Sequence, residues 1–111
     1  MTLEEAVNKT FEIISHYESG AYIDLEHLRR MMRGLSGCHA ILTKENIEAY
    51  NRHNAIMYNF DGSAARAKIE ADKEVPELRM TRKLIDTIGK AHDSIRSEIS
   101  IIKQEQWYPM K

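Results

Sequence analysis

The chain has 111 residues, 42% hydrophobic and 30% charged, with two prolines, one cysteine and a formal net charge of −1. That composition belongs to one ordered helical domain, 1–111, and excludes a disordered chain or one drawn by its overall field to nucleic acid or an acidic membrane. No apolar run approaches the roughly 18 residues of a membrane span, and no basic-then-apolar leader opens the chain, so neither a span nor a signal peptide is expected.

Thr2 and Glu5 have the spacing of a capping box, so a helix is expected over about 3–18. Leu3, Val7, Phe11, Ile14 and Tyr17 make its apolar face, and Gly20 is its natural stop. A short link then favours an antiparallel neighbour.

Asp24 is the N-cap expected for a long helix over about 24–60. Steps of three and four through it land on Leu25, Leu28, Met32, Leu35, His39, Leu42, Asn46, Ala49, His53, Ile56 and Phe60. One column of this stripe is wholly apolar. The other carries His39, Asn46 and His53 at seven-residue intervals. Polar residues at such positions cost stability but select register and partner number, so these three, with His92, are read as setting a particular oligomer. Desolvation of a neutral imidazole lowers its pKa, which favours assembly above that pKa and weakens it as pH falls, between roughly pH 6.5 and 5.

Two glycines, Gly34 and Gly37, interrupt this helix just after Arg29, Arg30 and Arg33. One reading is a small-residue surface or a kink. The other is a helix break whose free amides, beside three guanidinium groups, would hold a phosphate; Arg29, Arg30, Arg33, Gly34 and Gly37 are then the candidate anion site.

Asp61, Gly62 and Ser63 signal a turn, and a last helix is expected over about 63–105. It opens with Ala64, Ala65, Ala67 and Ala71 and meets Pro76, where it either kinks or restarts. Leu78, Thr81, Ile85, Ile88, His92, Ile95, Ile99 and Ile102 then resume the stripe, widened by Leu84, Ala91 and Ile101. A tail at 106–111 ends the pattern, flexible or docked. Residues equidistant from Gly62 should face each other, which sets His92 beside Met32. The expected fold is all-α: a short N-terminal helix plus a long antiparallel, coiled-coil-like helical hairpin, assembling as a homo-oligomeric bundle because so elongated a shape buries its apolar surface poorly alone.

Chemical motifs are sparse. No nucleophile elbow or phosphate loop occurs, and Cys38 and His39 are sequence neighbours that point about 100° apart on a helix. Cys38, the single cysteine, reads as a buried filler in a reducing cytoplasm. The five histidines never fall three or four apart, so no metal and no other cofactor is expected, and no enzyme. A second basic cluster, Arg79, Arg82 and Lys83, leaves nucleic acid as an alternative partner, with Tyr50 and Tyr58 as stacking platforms.

The long helix, the Ala-rich restart and the ending from Arg82-Lys83-Leu84-Ile85 through Ser94-Ile95-Arg96 to Glu105 resemble short all-helical accessory proteins encoded by bacteriophages, over residues 25–105. The resemblance carries no binding residue. It implies work in the host cytoplasm, beside recombination genes or against bacterial defence through a signal nucleotide or a protein. The expected function is a non-enzymatic binding protein that oligomerises and sequesters a partner protein or a small anionic or nucleotide ligand. The alternative is an accessory factor in phage DNA replication or recombination.

Overall fold

A computed structural model describes residues 1–20 and 24–107, with 106 and 107 by backbone alone. The described residues form four helices and no strand: α1 (Leu3–Glu18), α2 (Leu25–Asn59), α3 (Ala64–Glu74) and α4 (Pro76–Trp107). The expected tail at 106–111 otherwise lies outside the described residues.

Each start is written locally. Thr2 and Glu5 close a capping box, with Glu5 N–H donating to Thr2 Oγ1 at 3.2 Å and Thr2 N–H to Glu5 Oε1 at 3.3 Å. Hydrogen bonding of its carboxyl to the Thr2 side chain and backbone holds Glu5 below its ordinary range. Asp24 accepts from His27 N–H at 2.9 Å and Ser63 from Arg66 N–H at 3.3 Å. Gly20, at φ +71°, ends α1 in the left-handed conformation that costs glycine least. At Val75 the backbone leaves the helical region, and Pro76 begins α4, where its missing N–H costs nothing. Of the two alternatives at Pro76, the chain takes the restart, so the segment from 63 onward carries two helices.

α2 is the spine. Leu28, Leu35, Cys38 and Leu42 are fully buried on it, and Leu84, Ile88, Ile95 and Ile99 of α4 meet them with Ala6 of α1. A second, smaller cluster of Ala49, Val75 and Leu78 joins α2, α3 and the start of α4. Burial here comes in two unequal parts along a body 72 × 24 × 20 Å, with a radius of gyration of 19.0 Å against roughly 13 Å for a compact chain of this length.

The direction of packing follows from single contacts. Asn46 of α2 donates to Thr81 Oγ1 at 3.0 Å, while His92 donates from Nε2 to the Met32 carbonyl at 3.1 Å, so α4 runs antiparallel to α2. At the far end, the Tyr17 hydroxyl hydrogen-bonds Glu98 and links α1 to α4.

Leu3, Val7, Ile14 and Tyr17 pack against the core as the expected α1 face, and two residues, Phe11 and Ile101, depart from expectation. In α1 the buried positions are Ala6 and Thr10, and Phe11 is 57% exposed. Thr10 is tolerated inside because its hydroxyl donates to the Ala6 carbonyl at 2.7 Å, and two small residues bring the helices close. In α4, Ile101 faces outward.

Candidate anion-binding groove

α2 runs unbroken through 34–37. The free amides that a break would have offered a phosphate do not form, because tertiary packing overrides glycine's propensity. Gly34 instead admits α1: a Cβ there would stand 2.7 Å from Ile13 Cδ1. Gly37 faces open space. Of the three arginines, Arg33 pairs with Glu26 at 3.0 Å and Arg30 lies 3.9 Å from the same carboxylate; Arg29 is exposed. Arg30, Arg33 and Gly34 line a hollow of about 840 Å³ between α1 and α2, shared with His16 and His27, whose rings are 5.0 Å apart. The nearest anion to this hollow's arginines is thus already part of the chain.

The polar column resolves within the chain. Asn46 is half-buried against α4, and its amide also lies 3.4 Å from the Leu78 carbonyl. His53 is buried and donates from Nε2 to Asp72 Oδ1 at 2.7 Å. Lys68 reaches the other oxygen of Asp72 at 3.1 Å. The Asp72 carboxyl is held below its ordinary range, first by His53 and then by Lys68. His39 is exposed, 3.4 Å from Thr43 Oγ1.

The other basic cluster has a different setting. Arg79, Arg82 and Lys83 lie three and four residues apart on α4, so they share a face, and all three are exposed. Among the described residues none of them forms an ion pair. They border a groove of about 880 Å³ along the α2–α4 seam, lined also by His39 of α2 and Gly89 of α4. Two smaller hollows extend it. One, about 490 Å³, shares Arg79 and Arg82 and reaches Lys68; the other, about 270 Å³, shares His39 and Gly89 and reaches Ser36 and His92. The result is a trench that is basic in the middle and carries hydroxyl and imidazole groups at one end. The main groove, at about 880 Å³, falls within the roughly 300–1,000 Å³ of small-molecule sites. Three carboxylates also line the trench, each tied to a cation: Asp72 to Lys68 at 3.1 Å, Asp86 to Lys90 at 3.6 Å and Asp93 to Arg96 at 3.9 Å.

Spacing alone marks Arg79, Arg82 and Lys83 in the sequence. The missing partners are His39, Gly89 and Ser36, which come to the groove only through the α2–α4 register; the pairing of Met32 with His92 was the available clue. No helix among the described residues is long and apolar enough to cross a membrane. Comparison with protein-family models, with curated proteins and with solved structures found no match.

Proposed function

We propose that this chain is a non-enzymatic helical binding protein that holds a small anionic ligand in the α2–α4 groove and assembles with itself. The observation that carries the reading is the trio Arg79, Arg82 and Lys83, exposed, without ion pairs among the described residues, and bordering a groove of ligand size. Cations without an ion-pair partner keep their donors available to a phosphate or carboxylate, with guanidinium groups suited to bidentate contact. Self-assembly draws support from the apolar side chains left outside the two cores: Ile47, Tyr50, Tyr58 and Ile69 are at least half exposed. Such residues, on so elongated a body, are surface that a second copy would cover. His39, Asn46, His53 and His92 would then set register first within the chain, and His39 is the member left exposed for a subunit contact.

The accessory role in DNA replication or recombination draws less support. Asp86 and Asp93 stand in the same trench and would repel a continuous phosphate backbone.

Calorimetric titration with pyrophosphate tests the reading. One charged hydrogen bond is worth about 1.5–3 kcal/mol, so Arg82→Ala should weaken binding at least about tenfold. Arg33→Ala, which removes a guanidinium already paired to Glu26, should leave the titration unchanged. Binding that is lost in Arg33→Ala and kept in Arg82→Ala would move the site to the α1–α2 hollow. Light scattering reports subunit number in the same samples.

A further inference from the structure

We propose, resting on the reading of the groove as an anion site, that its ligand is a nucleoside phosphate. It would lie along α4 with its phosphates at Arg79, Arg82 and Lys83, its sugar hydroxyls at Asp86 and its base over Gly89 beside His39.

Three features select this class over a bare anion. The first is Asp86, an exposed carboxylate at 75% side-chain accessibility in the middle of the basic trench, with its ion-pair partner Lys90 at the long distance of 3.6 Å. Beside a phosphate alone this carboxylate is only repulsive. Beside a phosphorylated sugar it is an acceptor for hydroxyl donors, one turn along the helix from the cations.

The second is Gly89. Glycine is unfavourable inside a helix, and packing does not demand it here, since a Cβ at this position would meet nothing within 4 Å. What the absent side chain leaves is a bare stretch of backbone in the floor of the groove, where a flat group can approach closely. The third is the small hollow that adjoins Gly89. The carbonyl of Met32 can only accept, so His92 carries its proton on Nε2, and in the neutral ring Nδ1 remains an acceptor. Ser36 contributes a hydroxyl, 3.3 Å from His92 Nε2, and His39 an imidazole to the same hollow. These are groups for the edge of a base.

The spacing agrees. Arg82 and Gly89 are seven residues apart, about 10 Å at the helical rise. A nucleoside phosphate spans that separation and inorganic phosphate does not.

The test is calorimetry on the full chain with pyrophosphate, ADP, UDP, the 2′,3′-dideoxy form of the tighter nucleotide, and a thymidine 20-mer. ADP or UDP should bind at least about tenfold tighter than pyrophosphate, and the dideoxy form should lose about tenfold, the worth of a charged hydrogen bond. Gly89→Leu puts a side chain into the open floor with a better helix former; circular dichroism checks its fold. It should reduce the nucleotide to pyrophosphate's affinity and leave pyrophosphate unchanged, while Arg82→Ala weakens both. Nucleotide and pyrophosphate of equal affinity, both weakened by Arg82→Ala, would overturn the nucleoside assignment and keep the anion site. Tighter binding of the 20-mer than of either nucleotide would also overturn it, in favour of nucleic acid. No binding by pyrophosphate, nucleotide or 20-mer would overturn the groove's anion reading as well.

Discussion

His53 and Asp72 meet at 2.7 Å across α2 and α3, an imidazole that is 10% exposed answered by a carboxylate that is 53% exposed. Lys68, four residues before Asp72, holds the second carboxylate oxygen at 3.1 Å. Sequence spacing casts His53 as a residue waiting for another subunit; its partner is on the next helix of its own chain. The contact clasps α3 where only a small core holds it.

The clasp sets an acid response. Because His53 and Lys68 lower the folded pKa of Asp72, its ionised form stabilises the fold. That contribution is complete above the unfolded carboxylate value of about 3.9 and disappears as pH falls through the lower folded value. Asp72→Asn should therefore melt below wild type at pH 7, with the gap closing toward pH 2–3. Equal melting temperatures at pH 7 would show that the clasp adds nothing.

At the opposite end, burial and then the negative charge of Glu98 raise the Tyr17 phenol above its ordinary range. The neutral phenol is the form the fold prefers, so its contribution is complete below about pH 10 and is lost as pH rises through the folded value. Tyr17→Phe should flatten the alkaline limb of the stability profile, read by chemical denaturation between pH 8 and 11.

The glycines of the helices make a graded series. Gly37 and Gly89 face open space, so replacing either by Ala should raise stability by about 0.8–1 kcal/mol. Gly34→Ala has the same propensity gain, but Ile13 must turn its terminal methyl away from a Cβ only 2.7 Å distant. It should gain less than the other two in urea denaturation. Gly34→Leu should release α1, seen as lost helicity and greater exposure of Leu28 and Leu35.

Asn46 and Thr81 form the polar step in the α2–α4 seam, with Thr81 also donating to the Glu77 carbonyl at 2.7 Å. Thr81→Val should cost about 1 kcal/mol, because it leaves the Asn46 amide without that acceptor. Asn46→Leu with Thr81→Val together should be neutral or stabilising. A double-mutant cycle by thermal melts would measure the coupling; simple additivity of the two changes would mean that the pair does not act as a unit.

Local chemistry was the legible part of this chain. Thr2 with Glu5, and Asp24, act within three residues of themselves, so the sequence is enough to place them. The α4 stripe of Leu78, Thr81, Ile88, Ile95 and Ile99 was equally readable, because a buried face repeats with the helix. What escaped depends on neighbours far away in sequence. Gly34 looks like a helix breaker until Ile13 is seen against it, and Phe11 looks like core until Thr10 satisfies itself on Ala6. Arg33 looks free because Glu26 lies two turns back, beyond the usual four-residue pairing rule. His39 and Gly89 share a groove only because α2 and α4 settle into one register.

The unequal division of the core has a consequence in time. Leu28, Leu35, Leu42, Ile88 and Ile95 sit in a cluster shared by α1, α2 and α4, whereas beyond Asn46 the chain relies on Ala49, Val75, Leu78 and the His53–Asp72 clasp. Opening free energies follow local burial, so backbone amides of α3 and of residues 50–59 should exchange with deuterium well before those of residues 28–42 and 84–99. The basic trench runs from Gly89, in the segment expected to exchange slowly, to Arg79, beside the one expected to exchange fast. A ligand gripping both would slow exchange in α3 without touching most of it, so the same isotope experiment that ranks the two ends also reports occupancy of the groove.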